Sequence, residues 1–187
     1  MEQNVSMKIN ELPSPTWNWL KVNETPIKWS NKIEPCEIAA EGDVVATETE
    51  QLSDIETGAG READAIFATE NTAKYQILAD NAGQDKTVRL HISGKKDAHT
   101  AGCVEIVAKE NSTLTVVMDS RVAPDATKEE DSTAEASLAV RVRMKVESGA
   151  SVRLVQVQMP QEHETLLSDI GGNLIGEGAK VEYIQLF

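Results

Sequence analysis

Aromatic residues are scarce in this sequence: three Trp, two Tyr and two Phe among 187 residues. The core must then be built from Val, Ile, Leu, Ala and Met, and β-branched aliphatics suit narrow, repetitive sheet interiors. Cysteine is limited to Cys36 and Cys103, too few for a disulfide framework. No apolar run approaches the ~18 residues that a membrane-spanning helix needs. The opening stretch MEQNVSMKINELPSP has no apolar segment of the secretory type. Basic charge is short too, with 18 Lys and Arg against 31 Asp and Glu and a net charge of −13. Non-specific nucleic-acid binding needs a basic face, which sets that class aside, and docking to an anionic membrane surface is disfavoured for the same reason. With 40% hydrophobic and 26% charged residues, the composition is that of a folded chain long enough to bury its own core. The cytoplasm is the expected compartment.

Residues 1–64 have the texture of an irregular N-terminal segment. Pro13, Pro15, Pro26 and Pro35 interrupt regular structure. Trp17 and Trp19 lie between them, readable as core anchors or as an exposed partner site. From Glu37 to Glu70 ten acidic residues face only Arg61. This stretch reads as solvated, with at most short helical turns near Glu48–Ile55. A metal site made from these acids lacks the spacing of a calcium loop.

Residues 65–187 read as strands. Ala65–Ala68, Tyr75–Leu78, Val88–Ile92 and Cys103–Ala108 are short apolar or alternating runs. In Leu138–Val146 the residues Leu138, Val140, Val142, Met144 and Val146 share one face, while Arg141, Arg143 and Lys145 share the other. That is the period of a half-buried strand.

An internal repeat organises this half. The segment from Glu147 to Val157 aligns with Gly176–Leu186 at a spacing of 29, matching Gly149 to Gly178, Val152 to Val181 and Gln156 to Gln185. A weaker copy, Lys109–Met118, places Asn111 where the others have glycine, as expected for a left-handed backbone position. Its spacing of 38 is explained by a polar insertion, Pro124–Glu135. Adjacent apolar residues at Leu154/Val155, Tyr183/Ile184 and Val116/Val117 predict a bulge or corner where the inward face is reset. The pattern predicts an all-β fold, a right-handed parallel β-helix (β-solenoid) core preceded by the irregular segment. An antiparallel sandwich is the competing architecture.

Chemical motifs are few. The sequence has no dinucleotide or phosphate-binding glycine loop and no GxSxG or HExxH motif. His163 reads as a solvated loop residue. His99 and Cys103, with His91 upstream, could offer imidazole and thiolate to zinc, iron or a cluster. The alternative is that Cys103 opens a strand as a small hydrophobe while His99 sits in a solvated turn. Arg141, Arg143, Lys145 and Arg153 form a basic stripe, either a solvated outer face or a docking surface for an acidic partner. No nucleophile–base set or nucleotide loop is legible, so no enzymatic activity is expected.

Three segments resemble one family. Thr16–Asn23 after Leu12-Pro13-Ser14-Pro15, Val107–Met118 with its Glu110-Asn111-Ser112 turn, and Ser168–Tyr183 with Gly171-Gly172-Asn173 are similar to the SufB/SufD iron–sulfur cluster assembly proteins, SufD more than SufB. The resemblance implies a right-handed parallel β-helix and a cytoplasmic, non-enzymatic scaffold subunit. It implies partnership with a SufB-like subunit and a SufC-type ABC ATPase in a complex that assembles an iron–sulfur cluster. Family members continue through further coils into a helical domain that binds the ATPase, and their proposed cluster ligands lie in that later part. On this reading the chain is a truncated scaffold, and no ligand residue is carried over to it. Cys103 and His99 are then only weak metal candidates. The competing functions are a β-solenoid interaction module without any metal role and a polysaccharide-active enzyme, the latter lacking paired acids. The aliphatic final coil, from Val181 to Phe187, predicts self-association into a homo-oligomer.

Overall fold

A computed structural model describes residues 4–9, 25–43, 52–68, 72–80, 82–122 and 136–187. The Trp17/Trp19 pair and the insertion Pro124–Glu135 lie outside these residues. Among the described residues the fold is all-β apart from a short helical turn. Strands β1 (Asn4–Ile9) and β2 (Thr25–Ser30) form an antiparallel pair. After them come β3 (Glu34–Pro35) and β4 (Glu37–Gly42), then a 3-10 turn at Arg61–Ala63 that runs into α1 (Asp64–Phe67). Eight longer strands follow: β5 (Ala73–Ala79), β6 (Asp85–Ser93), β7 (His99–Ala108), β8 (Thr113–Arg121), β9 (Ala136–Val146), β10 (Ser151–Gln158), β11 (Glu164–Leu174) and β12 (Lys180–Leu186).

These eight strands alternate between two sheets. The first sheet has the order β12-β10-β8-β6-β4, and the second has β11-β9-β7-β3 with β5 also paired to β7. All pairings among the eight are parallel. Tyr75 pairs with Val104, Val104 with Val142 and Val142 with Ile170. Val88 pairs with Val116, Val116 with Leu154 and Leu154 with Tyr183. The sequence repeat is thus the spacing between laterally paired strands, and the longer step from Val104 to Val142 contains the insertion.

Side-chain alternation divides each strand between an interior and an outer face. Val88, Leu90, Ile92, Val104, Ile106, Leu114, Val116, Met118, Val140, Val142, Val152 and Leu154 pack together in the interior. Aliphatic side chains suffice because packed sheets lie only about 10 Å apart. The turns between strands also stack. Asn111 adopts φ 57, Gly149 φ 66 and Gly178 φ 76, the left-handed conformation inferred from the repeat. The Asn111 N–H donates to Ser148 O at 3.0 Å and the Gly149 N–H to Glu177 O at 2.9 Å. These bonds link the turn of one repeat to that of the next.

Several expectations are corrected. The phase does not reset at Leu154/Val155: Val152, Leu154, Gln156 and Gln158 all point inward, while Val155 and Val157 are half-buried on the outer face. Buried glutamines carry the alternation past the aliphatic pair. Gln156 Oε1 accepts from Tyr183 OH at 2.7 Å, Ser168 Oγ at 2.9 Å and Gln158 Nε2 at 3.3 Å. Ala65–Ala68 is not a strand; Asp64–Phe67 is helical and buries Ile66 and Phe67. Residues 1–64 are not uniformly irregular, since β3 joins β7 in parallel and β4 joins β6 antiparallel. Among the described residues no helix is long and apolar enough to cross a membrane.

The two faces of β10 make unequal demands on neighbouring residues. Leu154→Ala should cost about 2–5 kcal/mol as a core truncation, whereas Val155→Ala should cost about 1 kcal/mol or less. Urea unfolding of both variants checks the assignment, and equal losses would contradict it.

Candidate functional site

The outer face of the second sheet carries the chemistry. Lateral pairing sets Lys74, Cys103, Arg141 and Asp169 in one row across β5, β7, β9 and β11. Gln76, Glu105, Arg143 and Gly171 form the next row. Residues 52–68 cover this face. They bury Leu52, Ala59, Ala63, Ile66 and Phe67, while Asp54, Glu56, Glu62 and Asp64 stay exposed, so this part of the acidic stretch packs through its apolar residues and keeps its acids in solvent. Gly171 allows the close approach, because a Cβ there would overlap the Glu56 carbonyl oxygen.

Arg141 and Asp169 hold the cover in place. Their side chains are only 3% and 0% exposed, with Arg141 Nε 2.7 Å from Asp169 Oδ2. Asp169 also accepts from Thr57 Oγ1 at 2.7 Å and from the Ala59 N–H at 2.8 Å. Arg141 Nη2 lies 2.8 Å from Asp64 Oδ1, and its guanidinium carbon sits 4.1 Å from the centre of the Phe67 ring. Nearby, Arg143 Nε donates to Ile55 O at 3.1 Å. Buried charges demand this degree of pairing, since an isolated one costs several kcal/mol.

The basic stripe is therefore not one solvated surface. Arg141 is buried and Arg143 and Lys145 are half-buried. Arg153 belongs to the other sheet, where it pairs with Glu182 at 2.7 Å and holds that carboxyl below its ordinary value.

Between the cover and the sheet lies a cavity of about 360 Å³. Lys74, Gln76, Cys103, Glu105, Arg141 and Arg143 form its floor, and Ser53, Asp64, Phe67 and Ala68 its roof. Gln76 Nε2 donates to Glu105 Oε2 at 2.7 Å. A volume of this size and a mixture of apolar wall and converging polar groups are features of small-molecule sites.

The two metal candidates fall on one face but not in one site. His99 and Cys103 are separated by about 13 Å along β7 at about 3.3 Å per residue, whereas zinc ligands each lie about 2.0–2.3 Å from one ion. His99 is not in a solvated turn. It begins β7, meets the Trp29 ring at 5.7 Å between centroids, and its Nδ1 contacts Ser137 Oγ. His163 is exposed between β10 and β11. Among the described residues no group of three or more His, Cys, Asp and Glu side chains is placed to hold a metal ion.

The sequence reading missed Asp169 and residues 52–68 as parts of a site. The available signal was the spaced apolar set Leu52, Ile55, Ala59, Ala63 and Ile66 within the acids. Comparisons of the chain with protein-family models, curated proteins and solved structures each returned no match.

The two thiols lie on opposite sides of β7. Cys36 packs in the interior, where a Cβ on Gly102 would overlap its sulfur, and Cys103 packs outside with Phe67 and Ala139. Burial pushes Cys36 up from 9.0 to about 12. Burial also raises Cys103, against the opposing pull of Arg141, Arg143 and Lys74. A thiol held neutral when folded contributes stability that is complete below pH 9 and is lost as pH rises towards 12. At pH 8 the folded chain should react slowly with dithionitrobenzoate at both cysteines, and rapidly only once unfolded. A fast equivalent abolished by Cys103→Ser would contradict this placement.

Proposed function

We propose that this chain is a SufD-like scaffold segment of the SUF iron–sulfur cluster assembly system, without catalytic turnover of its own. Its strands form coils of a right-handed parallel β-helix, and it works in the cytoplasm with a SufB-like subunit and a SufC-type ABC ATPase. The cluster belongs to the assembled complex. The observation that carries this reading is the alternation of eight strands between two sheets, with parallel partners one repeat apart. The segments Val107–Met118 and Ser168–Tyr183, which carry part of the resemblance, fall on equivalent turns of that architecture, β7 to β8 and β11 to β12, with the β9–β10 repeat between them.

A second reading, a β-solenoid interaction module with no metal role, is favoured by one surface. Met159, Leu174, Ile175, Tyr183, Ile184, Leu186 and Phe187 are exposed, and β11 and β12 are the terminal strands of their sheets. Unpaired edges beside apolar side chains favour association, consistent with a homo-oligomer.

Affinity purification of the tagged chain from its native host separates the readings. The scaffold reading predicts recovery of the SufB-like subunit, with the SufC-type ATPase in the same complex. Recovery of neither, with the chain folded and self-associated, would contradict it and favour the interaction module.

A further inference from the structure

The cavity on the second sheet carries an inference independent of the scaffold reading. Its charges are not all committed to one another. Arg141 is neutralised by Asp169 and Asp64, and one oxygen of Glu105 is held by Gln76. Arg143 uses Nε on the Ile55 carbonyl, which leaves its two terminal nitrogens for other acceptors. Lys74 has no ion-pair partner among the described residues.

Lys74 and Arg143 stand at two edges of the cavity floor. Lys74 is on β5 and Arg143 on β9, with β7 between them. Two strand spacings place them about 9.6 Å apart across the sheet, and two residues of register add about 6.6 Å along it. Between these cationic ends Cys103, Phe67 and Ala68 supply an apolar strip of wall, flanked by Gln76, Glu105 and Arg141. A ligand matched to this floor has an anionic group at each end and a short aliphatic spacer. We propose that the cavity is a binding site for a short dicarboxylate of the succinate or glutarate type. One carboxylate pairs with the Arg143 guanidinium and the other with the Lys74 ammonium. The methylenes lie against Cys103 and the Phe67 ring. Charge-assisted bonds of this kind are the strong ones, and a partly enclosed site screens them less than open solvent does.

Glu105 gives the proposal a signed test. It lies between Gln76 and Arg143 in its row, so its carboxylate repels the ligand. Titration calorimetry of the full chain with succinate and glutarate at low salt should show saturable binding. Lys74→Gln, at an exposed position, should weaken it about tenfold or more with unchanged circular dichroism, and Arg143→Gln should do the same. Glu105→Gln should tighten it about threefold by removing the like charge. Butyrate, with one anionic end, should bind about tenfold more weakly than succinate. The proposal is overturned by absence of saturable binding, by an affinity unchanged in Lys74→Gln, by weaker binding in Glu105→Gln, or by butyrate binding as tightly as succinate.

Discussion

Arg141 and Asp169 face each other on the outer side of the second sheet because β9 and β11 pair in parallel with these residues in register. A slip of β11 by one residue would turn Asp169 toward the aliphatic interior and leave Arg141 without it on the outer face. The register therefore has an electrostatic as well as a hydrophobic basis. Once formed, the pair needs further partners, because desolvating two ions can cost more than their attraction returns. Residues 52–68 supply them: the Thr57 hydroxyl and the Ala59 N–H to Asp169, the Asp64 carboxylate and the Phe67 ring to Arg141. Satisfying those charges positions the cover over the sheet. The cover in turn encloses the cavity, so the site depends on a contact between repeats and on a segment far away in sequence.

The interior works by a different constraint. Identical inward positions meet from repeat to repeat, so each position is a column, and the columns through Val88, Val116 and Leu154 and through Val104 and Val142 are aliphatic. One column changes character, from Leu90 through Met118 to Gln156 and Gln185. There the buried Gln156 side-chain oxygen accepts from Gln158, Ser168 and the partly exposed Tyr183. A polar cluster in such a place tolerates few substitutions, since each lost partner strands a buried group.

Much of the fold was legible because its signals are local and periodic. The alternation in Leu138–Val146 identifies both the strand and its inward face, and Asn111 announces a left-handed turn by standing where two glycines stand. The failures arise where tertiary partners override local pattern. Leu154/Val155 looked like a corner because an inward Gln156 is not expected from hydropathy; only Tyr183, Ser168 and Gln158 make it tolerable there. Ala65–Ala68 looked like strand because four small or apolar residues carry no period, and packing on the sheet decides for helix. The acids of 52–68 are exposed, as their composition suggests, but the sparse apolar residues between them hide that Leu52, Ala59, Ala63 and Ile66 are buried. The Arg141–Asp169 pair crosses 28 positions, and Thr57 reaches Asp169 across 112. No local window contains those contacts.

A double-mutant cycle on Arg141→Met and Asp169→Asn, read by urea unfolding, tests the pairing of these two charges most directly. Each single change leaves a buried partner without its counterpart and should cost about 3–5 kcal/mol. Removing both relieves that penalty, so the double variant should be less destabilised than the sum of the singles by at least about 1 kcal/mol. Additivity within about 0.5 kcal/mol would contradict the account, because it would mean that the two side chains do not depend on each other.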